Sequence, residues 1–118
     1  MINITKFLKS VPFAYEGIKT LLKLENNAKI HILAVFVVII TGLIIHFSEA
    51  EWLAVIIVMG GVLAMEAVNT ALETIVDLVS PEFYSLAKKV KDVAAGAVLI
   101  FVFAALAVAG VVLWNHFG

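Results

Sequence analysis

Three stretches of this chain, residues 30–47, 52–76 and 94–114, are apolar over a length that crosses the ~30 Å hydrocarbon core of a bilayer at ~1.5 Å per helical residue. Hydrocarbon offers no partner to backbone N–H and C=O groups, so uninterrupted runs of this length have to bond internally as α-helices. The remainder is too small for a second, soluble core. Of 118 residues, 64% are hydrophobic and 14% charged, against ~45–50% and ~25% in soluble domains. The expectation is an all-α membrane protein, residues 1–118 forming one domain with three transmembrane helices. Cysteine is absent, which removes disulfides, thiolate nucleophiles and cysteine metal sites from consideration.

The charge is segregated, and its pattern sets an orientation. All eight basic residues are lysines. Lys6, Lys9, Lys19, Lys23 and Lys29 precede the first span, and Lys88, Lys89 and Lys91 lie between the second and third. The positive-inside rule then places the N terminus and the 80–93 connection in the cytoplasm, with the 46–51 turn and the C terminus outside. Trp52 and Trp114 both fall at that outer interface, where aromatic belts form. Residues 1–29 carry too many charges to span or to act as a cleavable signal. Within them Ile4, Phe7, Leu8, Val11, Tyr15, Ile18, Leu21 and Leu22 recur at three and four, predicting an amphipathic helix on the cytoplasmic surface that Pro12 kinks or splits. Ser80-Pro81-Glu82 predicts a turn followed by a short helix leading into the third span. Gly60 and Gly61 in the second span and Gly96 and Gly110 in the third suit close helix crossings.

The second span is not uniformly apolar. Glu66, Asn69, Thr70, Glu73 and Asp77 occupy ~100° of helical arc, so one stripe is polar while Ala, Val, Leu and Ile fill the rest. Ionisable groups at membrane depth are costly and face a partner helix or a cavity, which makes function the default reading and a plain helix-packing contact the competing one. Counted from Trp52 at ~1.5 Å per residue, Glu66 lies ~21 Å in, Glu73 ~31 Å and Asp77 ~37 Å. A carboxylate at the depth of Glu66 is suited to take a proton from a donor brought beside it. Glu73 and Asp77 reach the water boundary, where ionised carboxylates can hold a divalent cation such as Mg²⁺ that keeps several of its waters. Lys88, Lys89, Lys91 and Asp92 stand across the same boundary, and lysines grouped there can neutralise phosphates.

Three motifs carry a family resemblance: Glu25-Asn26-x-x-Lys29-Ile30-His31, Glu66-x-x-Asn69-Thr70-Ala71-x-Glu73-x-x-x-Asp77, and Lys88-Lys89-Val90-Lys91-Asp92-x-Ala94-Ala95-Gly96. Together they resemble the small integral-membrane lipid kinases of prokaryotes, the diacylglycerol kinase and undecaprenol kinase family. The resemblance implies a homotrimeric helical bundle with active sites between protomers, and MgATP as phosphoryl donor to a membrane lipid alcohol. It implies Glu66 as the base for the lipid hydroxyl, and Glu25 with Glu73 as the carboxylates on the metal-nucleotide. Asn69, Asp77, Lys91 and Asp92 would complete the catalytic and nucleotide groups, with Lys6 as a phosphate or headgroup contact. No GxxxxGK[ST] loop is present, so the nucleotide must be held in another way. Around Asp77 and across residues 86–99 the chain is more similar to undecaprenol kinases, whereas its ending Leu113-Trp114-Asn115-His116-Phe117-Gly118 is more similar to diacylglycerol kinases. The first region adjoins the chemistry, which favours undecaprenol.

Two other classes remain open from the residues alone. A small proton- or cation-coupled transporter would also bury one carboxylate, but such carriers have four spans and a weak charge bias. A non-catalytic assembly subunit would leave Glu73, Asp77, Lys91 and Asp92 without a purpose. His31, His46 and His116 fall on both sides of the membrane and read as interfacial hydrogen-bonding residues rather than a shared metal site. No basic patch interleaved with aromatics suggests nucleic acid.

Overall fold

Local capping chemistry divides the chain. Asn3 begins the first helix, its side-chain oxygen accepting from the backbone N–H of Lys6 at 3.0 Å. That helix, α1 (Ile4–Leu24), runs through Pro12 without being split by it. The donor missing at Pro12 falls on an exposed side of the helix, where water or headgroups can satisfy the freed carbonyl. A single extended residue, Glu25 (φ −102°, ψ 115°), then separates α1 from α2 (Asn26–Ile45). The structure is a computed structural model that describes residues 1–82 and 84–118.

The connection from α2 to α3 (Glu49–Val79) is equally short. His46 adopts a left-handed conformation (φ 62°, ψ 70°), and the N–H of Phe47 returns to the carbonyl of Gly42 at 3.0 Å. This is the backbone pattern of a Schellman stop, here on a histidine rather than a glycine. Ser48 at once opens α3 with a capping box: its hydroxyl accepts from Glu51 N–H, and the Glu51 carboxylate accepts from Ser48 N–H. Gly42 leaves room for the rings of Phe47 and Trp52, since a Cβ there would meet the indole at 2.5 Å.

α3 packs along α4 (Ser85–Phe117) over much more of its length than along α2. At Gly61 the two helices come close enough that a Cβ would drive into the Phe101 ring, so the expected close crossing is present there. Gly60, Gly96 and Gly110 have nothing within reach of a Cβ among the described residues, and for them the expectation of a tight crossing is not met within one chain. The helix expected to lead from Glu82 into the third span is present from Ser85 and is continuous with that span. α4 starts at Ser85 and runs unbroken to Phe117, because Leu86 to Val93 contains no glycine or proline to end a helix before the apolar stretch begins; residue 83 lies outside the described residues.

α2, α3 and α4 are each long and apolar enough to cross a membrane. Their apolar side chains mostly point away from the bundle, as expected of a surface that meets lipid rather than water. α3 has 31 residues and α4 has 33; at ~1.5 Å per residue, they are ~47 and ~50 Å long and exceed the hydrocarbon thickness by ~15–20 Å. The surplus of α3 carries Glu73 and Asp77, and that of α4 carries Lys88, Lys91 and Asp92. The charged groups therefore stand on stiff helical extensions rather than on loops.

Candidate active site

Glu66 is the most enclosed large side chain among the described residues, 2% exposed. It faces α2, where His31 Nε2 stands 3.6 Å from its carboxylate. Glu25, on the joint between α1 and α2, and Glu73, about two turns along α3, both bring their negative charges to bear on it. Carboxylates from the α1–α2 joint and from two turns along α3 thus lie near enough for their charges to act on Glu66.

Asn69 is buried between Glu66 and Glu73, and its Nδ2 donates to Glu73 Oε1 at 3.3 Å. Its own Oδ1 and the hydroxyl of Thr70 are buried without a hydrogen-bond partner among the described residues. Orphaned buried acceptors are costly unless a ligand or water completes them, and both lie on the polar stripe. One turn further, Asp77 accepts from Lys91 Nζ at 2.5 Å, which joins the extensions of α3 and α4. Lys91 precedes the apolar part of α4, and this hydrogen bond holds its ammonium above the ordinary lysine range. Asp92 pairs with Lys88, one turn back on α4, at 2.6 Å. Lys6 stands in the first turn of α1, at the opposite end from Glu25, and is not brought to the cluster.

No group of three or more His, Cys, Asp or Glu side chains converges as a ready metal cage among the described residues. Mg²⁺ does not require one: it is commonly held by one or two carboxylates, with water and substrate phosphates completing its six oxygens. Glu25, Glu73 and the unpartnered Asn69 oxygen are the donor types such an ion takes.

Two features escaped the sequence reading. His31 approaches the buried glutamate instead of serving only as an interfacial residue, a contact that depends on how α2 lies on α3. At the other end of the bundle, Glu51 is buried and receives His116 Nε2 at 2.9 Å and Asn115 Nδ2 at 3.4 Å while capping α3. A histidine near the end of α4 and a glutamate three residues after an N-cap serine were the available signals. The pairing ties the α2–α3 turn to the last turn of α4, so hydrogen bonding is the observed role of His116.

Residues 12–113 match the family described as prokaryotic diacylglycerol kinase. The chain belongs to that family. It is 38% identical to an undecaprenol kinase of Bacillus subtilis (strain 168) over 99 residues, covering 84% of this chain and 80% of the relative. It is 35% identical to a diacylglycerol kinase of Synechocystis over 107 residues, 90% of this chain and 61% of that longer protein. A diacylglycerol kinase of Escherichia coli (strain K12) is 25% identical over 114 residues, 97% of this chain and 93% of the relative. The protein is a multi-pass membrane lipid kinase, and membership of this family leaves the carrier reading without support. A kinase of this family implies ATP as co-substrate.

Proposed function

We propose that the protein phosphorylates a membrane lipid alcohol from MgATP, with undecaprenol favoured over diacylglycerol. The observation that carries the reading is Glu66, a buried carboxylate with Glu73 and Asp77 two and three turns along the same helix, Lys91 of α4 paired to Asp77, and Glu25 at the α1–α2 joint. The alcohol oxygen bonds to the γ-phosphorus as the bond from that phosphorus to the β–γ bridging oxygen breaks, ADP departs, and the hydroxyl proton passes to Glu66. Phosphoryl transfer asks chiefly for positioning and charge neutralisation, and a site of one base, two carboxylates for metal and few lysines is chemically sufficient. Glu25 and Glu73 hold the metal-nucleotide. Mg²⁺ supplies neutralisation of phosphate charge when bound.

Asn69 keeps Glu73 in place through its amide and offers its free oxygen toward the ligand. Lys91, held by Asp77 in the absence of nucleotide, turns to the phosphates when these arrive, and Asp92 with Lys88 fixes the approach from α4. Lys6 contacts a phosphate or headgroup at the membrane surface, where α1 lies as an amphipathic helix. The family resemblance implies a homotrimer with sites completed between protomers. The lysine asymmetry supports a cytoplasmic N terminus and an external C terminus in the bacterial inner membrane. The preference for undecaprenol rests on the 38% identical relative of that name and on the residues around Asp77. Purified protein in detergent, given radiolabelled ATP, Mg²⁺ and a panel of undecaprenol, diacylglycerol and short lipid alcohols, tests the reading; absence of phosphorylated lipid in every case overturns it.

A further inference from the structure

A cavity of about 390 Å³ lies between α2, α3 and α4 and begins at His31. Ala34, Val38, Val62, Ala105 and Ala109 are among its walls, and His31 and Thr41 are its only polar lining residues among those described. His31 therefore has two neighbours of opposite character: Glu66 on one side and an apolar groove on the other. The 3.6 Å between His31 Nε2 and the Glu66 carboxylate is longer than a hydrogen bond. An oxygen set to one side of the line between them can lie about 2.7–3.0 Å from both, accepting from an imidazole N–H and donating its proton to the carboxylate.

We propose that His31 positions the lipid hydroxyl against Glu66 and that the groove it caps takes the adjoining hydrocarbon chain, so that the site selects a polyprenol-type alcohol over an ester-bearing glycerolipid. This rests on the lipid kinase reading above. A diacylglycerol carries two ester groups within a few bonds of its hydroxyl, and their carbonyls lose water on entry. The groove holds no donor for them: Thr41 already donates its hydroxyl to Val37 O at 2.8 Å, and His31 is engaged by the reacting hydroxyl. Burying unpaired acceptors disfavours that substrate. A polyprenol has no polar atom beyond its hydroxyl, and an apolar groove imposes no such penalty. His31 assigns the occupant, because the same side chain lines the groove and stands 3.6 Å from the Glu66 carboxylate. The alternative occupant is a helix of a second copy of the chain.

The test measures kcat and KM for undecaprenol and for dioleoylglycerol, and KM for MgATP, in wild type, His31→Leu, His31→Gln, Ala34→Phe and Ala109→Phe. Loss of one neutral hydrogen bond predicts a three- to tenfold rise in lipid KM for His31→Leu, with KM for MgATP unchanged. His31→Gln keeps an N–H donor and restores most of the lipid affinity, which a merely structural histidine would not do. Ala34→Phe and Ala109→Phe fill the groove from two different helices and reduce undecaprenol turnover more than dioleoylglycerol turnover. Size-exclusion light scattering and thermal melts accompany each variant. A wild type inactive on every lipid defeats the kinase reading itself. An active wild type that prefers dioleoylglycerol, a His31→Leu enzyme with unaltered lipid KM, or groove variants that change subunit number while leaving lipid KM intact overturns the assignment of His31 and the groove alone.

Discussion

Replacing Glu66 with glutamine removes the ability to take a proton while keeping the side chain's volume, which matters at a position only 2% exposed. General-base catalysis contributes on the order of 10²–10⁴-fold, so kcat should fall by that factor, equivalent to about 2.7–5.4 kcal/mol of transition-state stabilisation. The fold should survive. Enclosure at 2% exposure disfavours a charged side chain, and a neutral amide of the same size removes that cost. The melting temperature should accordingly hold or rise, which separates lost chemistry from lost structure. MgATP affinity should change less than twofold, since Asn69 holds Glu73 independently of Glu66. Steady-state phosphorylation of undecaprenol gives kcat, and calorimetric titration with a non-hydrolysable ATP analogue gives nucleotide affinity. Near-normal turnover in Glu66→Gln, or a loss of nucleotide binding as large as that of a Glu73 variant, would refute the division of roles along α3.

Glu73→Gln should weaken use of MgATP with the fold intact, and raising Mg²⁺ should restore part of the rate; an unchanged Mg²⁺ titration curve removes the metal role. Cysteines introduced at Ala50 and Gly118, both exposed, should react with an impermeant thiol reagent added outside intact cells, while one at Ser85 should react only after lysis. Labelling of Ser85→Cys alone would invert the topology and separate the carboxylates from cellular ATP. Gly61→Leu should lower thermal stability by about 1–3 kcal/mol, because overpacking against Phe101 forces α3 from α4, and a melt matching wild type would show that the crossing is not as close as the geometry indicates.

The spans were legible because hydrocarbon thickness imposes a length, and the polar stripe because 3.6 residues per turn imposes a period. Glu66, Asn69 and Glu73 consequently fall in the structure where their spacing put them. What periodicity cannot carry is contact between helices. His31 read as an interfacial residue because its meeting with Glu66 depends on the rotation of α2 against α3, and Glu51 passed unnoticed because its partners are 64 and 65 residues away. Gly96 and Gly110 suggested tight crossings by composition, yet small residues permit an approach without compelling it. The true start of α4 at Ser85 was obscured by Ser80-Pro81-Glu82, whose start signal belongs to the turn and not to the helix that follows.

The joint at Glu25 has a mechanical consequence. One extended residue between two helices makes a pivot, with the carboxylate at its axis and α1 as the arm. At ~1.5 Å per residue the arm carries Lys6 roughly 28 Å from the pivot, and a 10° rotation sweeps it through about 5 Å while Glu25 hardly moves. Buried Leu21 anchors the arm beside the joint, and no rotation shortens it. With the metal-nucleotide on Glu25 and Glu73 as proposed, Lys6 of the same chain lies out of its reach, which leaves a headgroup contact as the role of that lysine within one chain.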